Sequence, residues 1–135
     1  MIISAIDIGT NSVLLTIAKL NKKFTPLIEK KETTKLGEKI NQTNLISKNA
    51  IERTIKAVKK FVELSCQNKA EKMILLGTYA LREAENKDEF SILLKEKFGQ
   101  RLFVLSGKDE GKYSLEGAVL GLKNLKSNIF LIDTS

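Results

Sequence analysis

The sequence contains no histidine, no tryptophan, one proline and one cysteine among its 135 residues. Without histidine, Ser-His-Asp and Cys-His nucleophile systems, phosphohistidine chemistry and the common zinc sites are excluded. The single cysteine, Cys66, excludes an internal disulfide framework and any multi-cysteine metal site. Catalysis within this chain therefore has to rest on carboxylates, hydroxyls, lysine, arginine, backbone amides and a cation such as Mg²⁺.

Long hydrophobic runs are also missing. No apolar run approaches the roughly 20 residues that a membrane-spanning helix needs. Asp7 interrupts the apolar N-terminal stretch, and no basic segment precedes it, so the pattern of a signal peptide is not met. We therefore expect a cytoplasmic protein without a membrane partner. A content of 42% hydrophobic and 29% charged residues indicates one globular domain over residues 1–135.

Arginine is scarce in a chain that is basic overall. Lys+Arg 23 against Asp+Glu 16 gives a net charge of +7, yet the only arginines are Arg53, Arg82 and Arg101. The excess is lysine, a hydrated point charge that is poorly suited to bidentate recognition of bases or phosphates. The charge fits a polyanionic partner. Because the lysines are scattered, a solvated lysine-rich surface explains them more simply, and we expect no specific nucleic-acid binding.

The apolar pattern predicts three strands followed by alternating helices and strands. The predicted strands are Ile2 to Ile8, Val13 to Leu20, Phe24 to Thr33, Lys72 to Gly77, Leu102 to Leu105 and Ile129 to Ile132; the predicted helices are Ser47 to Cys66, Tyr79 to Ala84, Asp88 to Phe98 and Ser106 to Leu122. Residues 34–43 are predicted to form a loop. The polar face of the helix that begins at Ser47, which includes Arg53, is interpreted as solvated surface. This order predicts an α/β domain with a mixed sheet.

Useful polar groups are concentrated where the first predicted strand ends. Asp7 can hold a Mg²⁺-bound water, and Gly9 lets backbone amides approach an anion. Thr10, Asn11 and Ser12 add short side-chain donors. A plain hairpin turn rich in Asp and Gly explains the same residues equally well.

A second cluster, Gly77 to Ala84, lies where a strand runs into the start of a helix. The free N–H groups of a helix start favour anions. Arg82 lies early in this helix and could make a bidentate contact with a phosphate. Taken alone, this segment fits better with a surface arginine that pairs with Glu83 or Glu85.

Two acidic positions follow later in the chain. Glu110 belongs to Ser106 to Lys112, which has the wrong glycine spacing for a Walker A loop. Taken alone, Asp109 and Glu110 are best explained as helix-stabilising charges in a first turn. Asp133 closes an apolar strand, and an ending so close to a core strand suggests that the chain is one part of a larger unit.

Together, these clusters resemble the exopolyphosphatase and guanosine pentaphosphate phosphatase (Ppx/GppA) family of the actin-like ATPase superfamily. The matching segments, in order, are Ala5 to Ser12, Lys35 to Glu38, Gly77 to Ala84, Ser106 to Gly111 and Ile129 to Asp133. The Leu-Arg-Glu-Ala and Ser-Gly-Lys-Asp-Glu segments are the most specific, because Asp-x-Gly-Thr also opens kinases and chaperones of the superfamily.

The resemblance implies an actin-like (ribonuclease H-like) domain with a mixed five-stranded sheet, three leading antiparallel strands and helices on both faces. It implies that Glu110 activates the attacking water, that Asp7 and Asp133 orient Mg²⁺ or water, and that Arg82 neutralises developing charge. The segment Gly9, Thr10, Asn11 and Ser12 would cradle phosphate oxygens. The implied substrates are inorganic polyphosphate and guanosine pentaphosphate, by phosphoryl transfer to water.

Two departures from the family pattern leave other functions open. Lys35 replaces the usual arginine, and the glycine-rich continuation after Asp133 is absent, as is a second lobe. We therefore expect an N-terminal lobe with little or no turnover by itself. The main alternative is a non-catalytic relative that binds phosphate-rich ligands or nucleotides; a kinase lobe using ATP would need the missing lobe. An exposed cleft face is compatible with a homodimer, although no dedicated interface is recognisable.

Overall fold

The computed structural model describes residues 1–105 and the backbone of residues 132 and 133. Its elements are β1 (Ile2–Ile8), β2 (Ser12–Leu20), β3 (Phe24–Thr33), α1 (Ile40–Thr43), α2 (Lys48–Gln67), β4 (Lys72–Gly77), α3 (Tyr79–Glu83), α4 (Lys87–Phe98), β5 (Leu102–Val104) and β6 (Ile132–Asp133). The helix predicted over Ser106 to Leu122 lies outside the described residues. None of the described helices has both the length and the apolar character needed to cross a membrane.

The strands form one mixed sheet in the order β3-β2-β1-β4-β5-β6. β1, β2 and β3 pair antiparallel, whereas β4 runs parallel to β1, and β5 runs parallel to β4. This confirms the predicted mixed five-stranded sheet with three leading antiparallel strands. The two residues of β6 extend it at the edge, antiparallel to β5.

The two faces of the sheet follow from the alternation of side chains along each strand. Ile6, Ile8 and Leu75 point to the larger core, which is completed by α2 and α4 through residues such as Phe61 and Phe90. The described helices thus cover this face. The opposite face carries a smaller buried cluster, made up of Ile3, Ala5, Leu20, Ile74 and Leu76.

α2 begins one residue later than predicted, because Ser47 is its N-cap. The Ala50 N–H donates to Ser47 Oγ at 3.1 Å, which satisfies one of the donors that a helix start leaves without an intrahelical partner. Ala50, Val58 and Phe61 are buried on one side at helical spacing. The helix therefore owes its position to this apolar face packed on the sheet.

Candidate phosphate-binding site

The candidate site lies where β1 and β4 end side by side. The two strands are parallel, and Ile8 of β1 is in register with Gly77 of β4. The loop after β1 and the start of α3 therefore leave the same edge of the sheet. In open sheets of parallel strands with helical connections, ligands bind outside the carboxyl ends of the strands.

The loop after β1 is a tight turn that requires a glycine. The Gly9 N–H donates to the Ser12 carbonyl at 3.0 Å. A Cβ atom at Gly9 would lie 2.9 Å from that carbonyl oxygen and 3.9 Å from Thr78 Oγ1. The turn therefore closes the predicted β1–β2 hairpin and also brings the backbone of Gly9 next to the end of β4.

Thr10 joins the loop to two segments that are distant in the sequence. Its Oγ1 accepts a hydrogen bond from the Ala80 N–H at the start of α3, at 3.2 Å. Its carbonyl accepts from the Gly37 N–H at 2.9 Å. The first and second predicted clusters are therefore in direct contact, which the spacing of the sequence alone did not require.

Arg82 extends from α3 towards the end of β5. Its Nη1 donates to the Leu105 carbonyl at 2.9 Å, and its side chain is 25% exposed. The predicted pairing with Glu83 is also present, at 3.8 Å from Nε, but an ion pair this exposed is weak. The guanidinium carbon lies 5.7 Å from the centre of the Tyr79 ring. Arg82 thus places a positive charge at the edge of the sheet where β1 and β4 end.

The structure describes the predicted carboxylates only in part. Asp7 is half-buried and in register with Leu14 and Leu76, on the face opposite Ile6 and Ile8. Asp133 stands in the same row of the sheet, since Leu76 pairs with Phe103 and Phe103 with Asp133. Three strand spacings of about 4.8 Å separate the backbones of the two aspartates by roughly 14 Å. Glu110 lies outside the described residues.

The donors at the end of β1 suit a Mg²⁺ ion for which the protein would supply only part of the coordination shell. No cluster of three or more acidic, cysteine or histidine side chains able to hold a metal is found in the described part of the chain. Asp7 supplies one carboxylate, and Ser12 has a buried Oγ with no hydrogen-bond partner among the described residues. Mg²⁺ is commonly held by one or two carboxylates, with waters and substrate phosphates completing the shell. The donor set therefore fits this ion.

Sequence reasoning missed the structural role of residues 34–38, which follow β3. The N–H groups of Thr34 and Lys35 both donate to the Asn11 carbonyl at 3.0 Å. Lys35 adopts a positive φ of 51°, a conformation that a lysine rarely adopts. Arg53 of α2 binds the same segment: its Nη2 lies 3.0 Å from Glu38 Oε1. Hydrogen bonding to Arg53 lowers the pKa of Glu38.

The strand order and the placement of the helices define a domain of the actin-like ATPase fold. Residues 15–134 match the model of the Ppx/GppA phosphatase family. The chain belongs to this family.

Relatives and solved structures agree with this assignment. The chain is 32% identical to a bifunctional 3-dehydroquinate synthase/phosphatase from Fusobacterium nucleatum, covering 96% of this chain and 21% of the relative. It is 28% identical to exopolyphosphatase 2 of Mycobacterium tuberculosis, covering 97% of this chain and 44% of that protein. A crystal structure of the Aquifex aeolicus Ppx/GppA phosphatase superposes with a TM-score of 0.80 at 34% identity, over 91% of this chain and 41% of that one. The chain thus spans less than half the length of these relatives.

Proposed function

We propose that the chain is the phosphate-binding N-terminal part of a phosphohydrolase that releases terminal phosphate from inorganic polyphosphate, guanosine pentaphosphate or both. The observation that carries the proposal is the hydrogen bond between Thr10 Oγ1 and the Ala80 N–H at 3.2 Å. It holds the glycine turn against the helix that carries Arg82. Short hydroxyl and amide side chains beside a cation, at one edge of a sheet, suit a phosphate group.

These residues bind the substrate, balance its charge or accept a proton, and none of them forms a covalent bond to it. The Gly9 N–H is used on the Ser12 carbonyl, so Gly9 contributes the tight turn that lets a phosphate approach. The side chains of Thr10, Asn11 and Ser12 hold phosphate oxygens, while Arg82 offsets the negative charge that grows on the leaving phosphate. Asp7 holds Mg²⁺, which when bound neutralises phosphate charge. Glu110 is the base that accepts a proton from the attacking water, and Asp133 is a second carboxylate at the metal or water.

The substrate is proposed from charge and from family membership. A net charge of +7 favours a polyanion, as long-chain polyphosphate is. The Mycobacterium tuberculosis relative is named an exopolyphosphatase, and the family name includes the guanosine pentaphosphate phosphatases. A cytoplasmic location and a homodimer belong to the same proposal: both substrates would be met inside the cell, and a lobe with an exposed cleft face could pair with a second copy.

Lys35 favours a second candidate, a protein that binds phosphate-rich ligands without turning them over. A lysine presents one point charge where an arginine would offer a fork of donors. Binding would survive this exchange better than the close positioning that turnover requires. We expect the 135-residue chain alone to show little or no turnover.

Phosphate release from long-chain polyphosphate, with and without Mg²⁺, tests the proposal. The 135-residue chain and the longest natural form of the gene product are compared, each with Glu110→Gln. In the longer form we expect Glu110→Gln to lower kcat by about 10²- to 10⁴-fold, the contribution of a general base. Glu63→Gln, on the exposed face of α2, is the matched control and should leave kcat unchanged. Polyphosphate binding without release by the longer form would establish the non-catalytic candidate instead.

A further inference from the structure

Arg53 holds the segment after β3 by three contacts that all come from one side chain. Its Nε donates to the Thr34 carbonyl at 2.9 Å, and Nη2 donates to the Lys35 carbonyl at 3.4 Å. Nη2 also lies 3.0 Å from Glu38 Oε1. A guanidinium can make these contacts together because its N–H groups are arranged in a rigid planar fork.

The opposite side of the same segment is bound to the loop after β1, residues 9–12, which we call the phosphate loop. The Thr34 and Lys35 N–H groups donate to the Asn11 carbonyl, and the Gly37 N–H donates to the Thr10 carbonyl at 2.9 Å. Carbonyl groups of residues 34 and 35 thus face Arg53, while their N–H groups face the loop after β1. The segment therefore connects α2 to the loop after β1 by hydrogen bonds on both of its sides.

The backbone of Lys35 indicates that this connection is held against a local preference. Its φ of 51° lies in the left-handed region, which side chains other than glycine avoid because Cβ crowds the following carbonyl. Such a conformation persists only where the surroundings determine it. Here the surroundings are the Asn11 carbonyl on one side, Arg53 on the other, and the fully buried Leu36 next in the chain.

We propose that Arg53 is a positioning residue for phosphate binding: it fixes residues 34–38 and, through them, the carbonyl groups of Thr10 and Asn11, so that the turn at Gly9 keeps its phosphate-binding shape. This inference rests on the proposed function. Arg53 itself is not assigned a contact with substrate. Its charge is used on Glu38 and on the two carbonyl groups rather than on a phosphate.

The test compares Arg53→Ala, Arg53→Lys and the matched control Lys56→Ala in the 135-residue chain. Lys56 lies on the exposed side of the same helix, so its removal changes the net charge equally. Pyrophosphate affinity is measured by titration, and hydrogen exchange is measured at the Thr34, Lys35 and Gly37 amides. For Arg53→Ala we expect about tenfold faster exchange at these three amides, since local opening becomes easier, and about tenfold weaker pyrophosphate binding.

The two controls separate positioning from charge and from general stability. Lys56→Ala should leave both measurements within twofold of the unsubstituted chain. Arg53→Lys keeps the charge but cannot bind both carbonyls and Glu38 together, so exchange and affinity should fall between those of Arg53→Ala and the unsubstituted chain. An equal loss of affinity in Lys56→Ala and Arg53→Ala would overturn the proposal, because it would reduce Arg53 to a surface charge.

The hydrogen-exchange measurement keeps this inference distinct from the proposed function. If the three amides exchange as slowly in Arg53→Ala as in the unsubstituted chain, Arg53 does not fix the segment, and the inference is wrong whatever the activity. If the unsubstituted chain does not bind pyrophosphate at all, the proposed phosphate site is wrong, and the positioning role fails with it. In the longest natural form, Arg53→Ala should lower kcat/KM for polyphosphate while Lys56→Ala should not.

Discussion

Thr10 shows how one residue can connect three distant parts of a chain. Its hydroxyl accepts the Ala80 N–H, and its carbonyl accepts the Gly37 N–H. Its methyl group packs on Gly37 so closely that a Cβ atom there would lie 2.5 Å from Thr10 Cγ2. A serine would keep the hydroxyl and lose the packing, and a valine would do the reverse. Both the hydroxyl and the methyl group are used.

The substitution Gly37→Ala is predicted to disturb the site by overpacking. The new methyl group would lie 2.5 Å from Thr10 Cγ2 and 3.1 Å from Ala80 Cβ, so residues 34–38 have to move away from the phosphate loop. We expect a loss of about 1–3 kcal/mol in the free energy of unfolding, the usual cost of an added methyl group in a packed region. Pyrophosphate affinity should fall as well. Denaturant unfolding and titration measure the two effects.

Gly99→Ala is the control for this substitution. Gly99 has a φ of 68°, and a Cβ atom at this position would meet no neighbour within 4 Å among the described residues, so an added methyl group enters open space. Gly99→Ala should lower the free energy of unfolding by about 1 kcal/mol, because alanine disfavours the left-handed conformation. It should leave pyrophosphate affinity unchanged. Unchanged affinity in Gly37→Ala as well would show that the contact with Thr10 does not shape the site.

At the scale of elements, strong periodicity predicted β1 to β5 and the two long described helices, α2 and α4, closely. β1, β3 and β4 have the predicted bounds, and α4 begins one residue earlier than predicted and ends, as predicted, before Gly99. These segments alternate or repeat with a clear apolar period, and tertiary packing supports the same pattern. The single turn of α1 (Ile40–Thr43) falls in a predicted loop. Four residues are too few to show the helical repeat of apolar positions from which a helix is predicted.

The role of Arg53 could not be predicted from the pattern of α2. On a helix, a charged residue opposite the apolar stripe is typical of solvated surface. Its contacts with Thr34 and Lys35 join residues 18 or 19 positions apart. They depend on how α2 lies on the sheet, which local sequence does not encode. The segment Lys35 to Glu38 gave a partial signal, since it resembled a family segment although no helix or strand was predicted there.

Ser47→Ala is predicted to destabilise α2 at its first turn. Ser47 Oγ accepts the Ala50 N–H at 3.1 Å, and it lies 3.4 Å from Glu38 Oε1. Loss of the N-cap should lower the free energy of unfolding by about 1 kcal/mol. Ser47→Thr keeps a hydroxyl at the cap and should retain most of the stability that Ser47→Ala loses. Equal stabilities of the alanine and threonine variants, measured by urea unfolding, would contradict the capping role.

At the scale of the whole molecule, sheet topology assembles the site. The clusters at Gly9–Ser12 and at Arg82 are about 70 residues apart in the chain, and parallel pairing of β1 with β4 brings them to one edge. Each cluster was recognisable from its residues, and the family resemblance assigned both to phosphate binding, but no pattern in the sequence predicted the direct contact between them. Glu110 lies outside the described residues, and the side chain of Asp133 is not described, so their roles stay predictions.

The most direct test of the phosphate site is a pyrophosphate titration of the ¹⁵N-labelled 135-residue chain, with Mg²⁺ present. We predict that the amides of residues 9–12 and 80–82 shift together and saturate with one dissociation constant, because one phosphate group contacts both segments. Sodium chloride at the same ionic strength should not reproduce the shifts. Shifts spread over the lysines of α2 and β3, with none at residues 9–12, would contradict a built phosphate site and leave only a basic surface.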